Sequence, residues 1–389
     1  MNIGLFSDTF YPEINGVATS VYSLFNLLKK RGHNCYVITT GDDKNVTFSG
    51  NVIHIPGIKL KHLYDYKASP IFSSEAYRII ETLHLDIIHV NTEFFIGQFG
   101  FISASKLGIP VVYTYHTMNE DYTYYATKGY FDRFSKWTIR EFDRSCMLRA
   151  NEIIAPSEKT LNYLEFIGIE KYINIVPTGF DFARFTNVTK KDPKVKEIQK
   201  KYNLGDKKVL LCLGRMAKEK SFDAIIKFYK KYLDQYNDKE TVLLFVGNGP
   251  QKEELENLSE DLGISKKCIF VGNVPLEDTP YYYKCADVFL SASTSETQGL
   301  TFMEAMASKL PILCRFDNNL IGIIDNNTTG FFFLEASDFI YKLHNIVYLS
   351  NKESEKIKDN AFKSIDKFNE KNFYDNIMRV YGRAIRRNW

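Results

Sequence analysis

No stretch of this chain approaches the ~20 consecutive apolar residues needed to span a bilayer. Its opening, Met-Asn-Ile-Gly-Leu-Phe-Ser-Asp, has neither the basic start nor the long apolar core of an export signal. Both absences predict a protein that stays in the cytoplasm. Cysteine is sparse. The six residues at 35, 146, 212, 268, 285 and 314 form no Cys-x-x-Cys pair, and several fall inside apolar runs such as Val209 to Leu213. That usage fits buried thiols in a reducing compartment better than disulfides or zinc ligands. No Asp-x-Asp pair occurs and no His, Cys and carboxylate cluster has metal-ligand spacing, so no obligatory metal is expected. The dinucleotide fingerprint Gly-x-Gly-x-x-Gly is absent from both Gly247-Asn248-Gly249-Pro250 and the first loop, which disfavours an NAD enzyme. A formal net charge of only +3 argues against a dedicated nucleic-acid binder.

With 389 residues the chain exceeds the size at which one core stops growing, so two domains are expected. Short apolar runs alternate with helical patterns from the start. Asn2 to Phe6 reads as a strand, Val17 to Lys30 as a helix closed by Gly32, and Asn34 to Thr39 as a second strand. The rhythm continues at Asp86 to Val90, Pro110 to Tyr115, Glu152 to Ala155 and Asn174 to Val176. It weakens across the Lys-rich stretch from Pro177 to Lys208, where a linker is expected. A second series follows at Val209 to Leu213, Thr241 to Val246, Cys268 to Val271, Val288 to Leu290 and Ile312 to Cys314. Strand-helix alternation predicts parallel sheets covered on both faces. The expected architecture is α/β, two doubly wound Rossmann-like domains facing across a cleft, where open sheets of this kind bind ligands. The expected boundaries are 1–180, 181–370 and a C-terminal helix over 371–389 that packs back on the first domain.

The most informative segment is Ser291 to Ala307, which sets Glu296 and Glu304 on either side of a Gly turn that opens a helix. Amides at Gly299, Leu300 and Thr301 would form the positive end of the helix dipole and hold an anion, while two acids reach for hydroxyls. Phosphate plus hydroxyls describes a nucleotide sugar. A plainer reading also fits: Thr301 and Glu304 as a capping box, and Glu296 as a surface acid. Gly214-Arg215-Met216-Ala217-Lys218-Glu219-Lys220 follows the first strand of the second series, which puts Arg215 and Lys220 at the ligand-facing end of that sheet. A guanidinium fork and a mobile ammonium suit a diphosphate, whereas Lys218 and Glu219 read as solvated. Gly16, in the first strand-to-helix loop, either lets backbone approach phosphate or sugar or simply makes the turn. His116 follows a strand end, where it is either structural or ligand-facing.

Lys128 to Arg149 interleaves Lys128, Arg133, Lys136, Arg140, Arg144 and Arg149 with Tyr130, Phe131, Phe134, Trp137, Phe142 and Met147. Such a helix either lies on an anionic membrane or buries its rings in the core. Arg379, Arg383, Arg386 and Arg387, beside Trp389, form a second basic cluster.

Together these segments resemble the retaining glycosyltransferases of family 4, which have the GT-B fold, and the resemblance spans essentially the whole chain. It rests on the Glu-x7-Glu pair Glu296 and Glu304, the Gly-Arg-x-x-x-Glu-Lys run Gly214 to Lys220, and Gly16. It implies that Glu304 binds ribose hydroxyls, Glu296 the transferred sugar, Arg215 and Lys220 the diphosphate, and His116 the donor sugar. Val271 and Val274 would lie at the base, with Gln298, Gly299, Leu300 and Thr301 around the nucleotide. Within the family, Ser-Glu-Thr-Gln-Gly-Leu-Thr and Tyr-His-Thr-Met-Asn-Glu-Asp-Tyr look like the versions in bacterial enzymes that glucosylate diacylglycerol. Gln298 stands where the wider family has Phe. The junction reads Pro177-Thr178-Gly179-Phe180-Asp181 in place of the usual Pro-Asn-Gly-Val-Asp.

The resemblance therefore implies glucose transfer from UDP-glucose to 1,2-diacylglycerol or a related lipid, with retention. The enzyme would work peripherally on an anionic membrane at the cytoplasmic face, with no obligatory cofactor and no nucleic-acid partner. Rival readings are a GDP-mannose-dependent or polysaccharide-directed sibling, a nucleotide-sugar epimerase, and a non-catalytic sugar-binding module.

Overall fold

The computed structural model describes residues 1–13, 15–60, 66–116, 132–293 and 299–388. The chain divides into two compact units, one made of Met1–Gly179 with the residues from Glu370 onward, the other of Phe180–Asn369.

The first unit is built on β1 (Asn2–Phe6), β2 (Asn34–Gly41), β3 (Thr47–Ser49), β4 (Val52–Pro56), a hairpin of β5 (Ile58–Leu60) and β6 (Tyr66–Ala68), β7 (Ile87–Val90), β8 (Val111–Thr114), β9 (Glu152–Ala155) and β10 (Ile173–Ile175). Eight of these strands form one sheet in the order β10-β9-β8-β7-β1-β2-β4-β3, parallel except for the β3-β4 pair. In β1, Ile3 and Leu5 enter one apolar core and Phe6 the other, as a parallel strand covered on both faces requires. The helix Glu370–Arg387 supplies Phe373, Ile377, Val380, Tyr381 and Ala384 to the first of these cores, a spacing that lines one helical face. It is further tied down by a hydrogen bond between Tyr381 and His89 (2.8 Å) and by ion pairs from Arg383 and Arg387 to the buried Glu152.

The second unit carries β11 (Lys208–Leu213), β12 (Thr241–Val246), β13 (Cys268–Gly272), β14 (Val288–Ser291), β15 (Ile312–Arg315) and β16 (Phe331–Phe333), all parallel in the order β13-β12-β11-β14-β15-β16. Val209 and Leu211 of β11 face one core, Leu210 and Cys212 the other. Both sheets are therefore doubly wound. In each, strand order reverses beside the first strand of the unit: between β1 and β7, and between β11 and β14. Ligand crevices of such sheets open at the carboxyl ends of these reversing strands.

Two sequence expectations change. The Lys-rich stretch read as a linker folds with the second unit, because Phe185, Val188, Val195 and Ile198 are buried in its core. Its helix Pro193–Lys201 starts with an Asp192 cap and Pro at the first turn, and hides its apolar residues among many lysines. Strands β3 to β6 and β16 were absent from the expected series. They are short, and β3 and β5 expose several of their residues, so these lack the continuous apolar run of the central strands.

Candidate active site

The two loops that the sequence singles out leave the two strands flanking the reversal in the second sheet. After β14 the chain reaches Gly299, whose φ of 68° is left-handed and whose added Cβ would come within 3.0 Å of Leu320. Glycine is therefore demanded there, and the helix Leu300–Ala307 starts at once. Gly299, not Thr301, is the N-cap, so the capping-box reading fails. Glu304 lies beyond the first turn, is 6 % exposed, and accepts a hydrogen bond from the Tyr283 hydroxyl at 2.7 Å. The same hydroxyl lies 3.2 Å from the Thr301 carbonyl. Burial pushes the Glu304 carboxyl up to about 7, against the opposing pull of the Tyr283 hydrogen bond and the Arg184 charge. A carboxylate so placed can receive hydroxyl donors with little competition from water.

After β11, Gly214 to Lys220 forms a loop that ends in a 3-10 turn over Lys218–Lys220. Its backbone is braced by the loop after β12. Met216 donates to the Asn248 carbonyl (2.9 Å), and Gln251 donates back to the Met216 carbonyl (3.0 Å). A Cβ on Gly247 would stand 2.0 Å from the Gly214 carbonyl oxygen, and one on Gly249 would stand 2.3 Å from that of Met216. Gly247-Asn248-Gly249 is thus the floor on which the Arg215 loop rests, a role that no spacing within the sequence encodes because the contact joins two separate loops. Arg215 and Lys220 are half-buried, while Lys218 is exposed.

In the first unit, Asn15 caps the helix Gly16–Lys30 by accepting from the Ala18 amide (2.8 Å), and a Cβ at Gly16 would meet no atom within 4 Å. Nothing in the packing demands a glycine at that helix start. His116 is half-buried just past β8, with Nε2 3.2 Å from Oδ1 of Asn91. Burial drives its imidazole down to about 4, so it is neutral at physiological pH. Asn91, 2 % exposed at the end of β7, was not anticipated; no spacing rule links it to His116.

Gly299, Leu300, Thr301 and Glu304 are thus gathered on one helix start, with Arg215 and Lys220 on the adjacent strand's loop. Val274 is buried in the apolar core and Val271 packs against it, so their side chains serve the fold. Glu296 and Gln298 lie outside the described residues. Among the described residues, no group of three or more His, Cys, Asp or Glu is placed to hold a metal ion.

Comparison with known proteins shows the family and the fold. Residues 14–184 match Glycosyltransferase Family 4, and residues 194–382 match Glycosyl transferases group 1. The chain belongs to this glycosyltransferase family. It is 36% identical over 334 residues to the alpha-monoglucosyldiacylglycerol synthase of Streptococcus pneumoniae, covering 85% of this chain and 74% of that one. It is 33% identical over 357 residues to the enzyme of the same name from Acholeplasma laidlawii, covering 89% and 88%. Among solved structures, Anabaena HepE in complex with UDP and glucose aligns with a TM-score of 0.76 at 15% identity over 98% of this chain and 99% of that one. The fold of this glycosyltransferase is GT-B.

The basic helix divides between its two readings. Over Asp132–Arg149, Met147 is fully buried and Phe142 stacks on Phe94 at 5.7 Å, whereas Trp137 is 57% exposed. Lys128, Tyr130 and Phe131 lie outside the described residues. No helix among the described residues is long and apolar enough to cross a membrane. In the C-terminal cluster, Arg383 and Arg387 turn to Glu152 and so brace the fold; Arg379 and Arg386 are exposed.

Proposed function

We propose that this glycosyltransferase moves glucose from UDP-glucose to the free hydroxyl of 1,2-diacylglycerol, with retention at the anomeric carbon, at an anionic membrane surface on the cytoplasmic side. The observation that carries the donor half is the buried Glu304 carboxyl one turn inside a glycine-capped helix, beside the loop bearing Arg215 and Lys220. The acceptor half draws on the two synthases above. Their names describe an α-linked product, and an α-linked product made from an α-linked nucleotide sugar is retention.

Glu304 accepts the ribose hydroxyls and the amides of Gly299 to Thr301 face the diphosphate. Arg215 and Lys220 neutralise the charge that builds on the departing UDP, the role a divalent cation would otherwise take. Glu296 and the neutral His116 hold the transferred sugar, and the Gly16 helix start receives phosphate or sugar at its open face. With Glu304 committed to ribose, the Glu296 and Glu304 pair no longer supplies both carboxylates of a covalent mechanism. The leaving phosphate then takes the acceptor proton on the face from which the acceptor attacks.

The membrane contact is assigned to an exposed strip of the first unit. Arg140 lies 5.5 Å from the ring of Phe166, itself 73% exposed, and Trp137, Leu148 and Tyr172 continue the strip at 57%, 54% and 70% exposure. Arg144 and Lys171 are exposed along it. Rings seat in the lipid interface and cations meet anionic headgroups.

Radiolabel transfer from a panel of UDP- and GDP-sugars into lipid extracts tests the reading. Label from UDP-glucose entering an α-glucosyl lipid supports it. Selective use of GDP-mannose would move the enzyme to its sibling class. Consumption of the nucleotide sugar without any acceptor would indicate an epimerase.

A further inference from the structure

Asn91 and His116 meet at the carboxyl edge of neighbouring strands β7 and β8, and their contact has a direction. The Asn91 backbone N–H donates to the Phe6 carbonyl at 2.8 Å, which holds the residue against β1. Its side-chain nitrogen Nδ2 lies 3.1 Å from the His89 carbonyl oxygen, and its Oδ1 lies 3.2 Å from His116 Nε2. A backbone carbonyl can only accept, so Nδ2 must be the atom that faces it. Turning the amide over would set its oxygen against the His89 carbonyl, two acceptors face to face at a residue that is 2 % exposed, even with Nδ2 then offered to a lone pair on His116.

The remaining logic concerns one proton. An Asn oxygen only accepts, so His116 Nε2 must carry the hydrogen of this contact. The half-buried imidazole is neutral and has a single N–H to place. With that hydrogen on Nε2, Nδ1 presents a lone pair. Behind this pair, His89 is engaged on both nitrogens, by the Tyr381 hydroxyl at 2.8 Å and the Thr114 hydroxyl at 2.7 Å, so the carbonyl that orients Asn91 belongs to an anchored residue.

We propose that Asn91 is a positioning residue that locks His116 in its Nε2–H tautomer, so that Nδ1 accepts a hydrogen bond from a hydroxyl of the transferred sugar and rejects sugars carrying a carboxylate there. This rests on the assignment of His116 to the donor sugar. A hydroxyl supplies the hydrogen that Nδ1 lacks. A carboxylate brings only lone pairs, and the imidazolium that would welcome it is disfavoured by burial.

The test begins with the wild-type protein and needs no substrate. Nitrogen-15 NMR of histidine-labelled enzyme at pH 7, with the His116 signals assigned by their loss in His116→Gln, should find Nε2 protonated and Nδ1 bare. Finding Nδ1 protonated, or both nitrogens, overturns the lock. In Asn91→Leu the tautomer preference should disappear and kcat with UDP-glucose should fall on the order of 10–100-fold, as when an orienting partner of a functional side chain is removed. An unchanged tautomer in that variant overturns the proposal as well. Asn91→Asp keeps the acceptor and adds a charge that favours imidazolium, so use of UDP-glucuronate relative to UDP-glucose should rise at least about tenfold. No change in that ratio overturns the recognition half. Should no nucleotide sugar be turned over by the wild type, the donor assignment fails, while the NMR result still decides the lock.

Discussion

The hydroxyl of Tyr283 stands 2.7 Å from Oε2 of Glu304, inside a core that leaves Glu304 6 % exposed. This contact gives a buried carboxyl an orientation and directs its second oxygen away from the phenol. It opposes, without cancelling, the effect of burial, and the group titrates at about 7 instead of 4.5.

Donor binding should therefore depend on pH in the neutral range. On the proposed assignment of Glu304 to ribose, the hydroxyls donate to the ionised carboxylate, whose fraction grows about tenfold between pH 6 and pH 8 for a group pushed up to about 7. The affinity for UDP-glucose, whose diphosphate does not titrate in this range, should rise by about that factor. Calorimetric titration checks it, and Glu304→Gln should bind more weakly with a flat profile. Stability moves in the opposite direction. A carboxyl raised on folding stabilises the native state fully below about 4.5 and loses that contribution as pH rises to about 7, on the order of 3 kcal/mol. Glu304→Gln should consequently melt above wild type at pH 8, and the gap should close at pH 5.

Arg215→Ala and Lys220→Ala should each depress turnover by more than about a hundredfold, the scale of one lost transition-state contact. Steady-state rates with UDP-glucose decide this. Near-normal turnover in both variants would remove the diphosphate assignment.

Gly249→Ala tests the brace beneath that loop. Its Cβ would sit 2.3 Å from the Met216 carbonyl oxygen, and backbone, unlike a side-chain tip, has no easy way to yield. The expected result is a loss on the order of 1–3 kcal/mol in denaturant unfolding together with reduced turnover, because Arg215 moves with its backbone. Gly16→Ala, where a Cβ meets nothing, should leave the unfolding curve unchanged and affect donor kinetics alone.

Replacing Trp137 and Phe166 by Ser, or Arg140 and Arg144 by Gln, should weaken sedimentation with anionic vesicles while activity on a detergent-dispersed acceptor survives. Vesicle binding equal to wild type in both variants would return the strip to an ordinary surface. Arg383→Ala offers a contrast. It strips a partner from the buried Glu152 and should lower stability with vesicle affinity unchanged.

Much of the fold could be read directly because parallel strands buried on both faces are continuous apolar runs. Asn2–Phe6, Glu152–Ala155 and Thr241–Val246 coincide with the expected strands residue for residue. The Lys-rich stretch before β11 misled because its two buried helix positions, Val195 and Ile198, are outnumbered by charges that face solvent. The Arg383 and Arg387 pair looked like free basic surface because its partner, Glu152, is more than two hundred residues away in sequence.

By itself, the amino-acid order determined the alternating architecture, the glycosyltransferase family, the placing of Gly299 and Glu304 at a helix start and that of Arg215 and Lys220 in the loop after a strand, since periodicity and motif spacing are local properties of a chain. Only the tertiary structure decided that Glu304 is a half-ionised acid under Tyr283, that Gly247 and Gly249 carry the Arg215 loop, and that Asn91 sets the proton of His116. Ionisation, close backbone approach and tautomer are fixed by which groups meet after burial has removed water, and those meetings join residues that no local pattern connects.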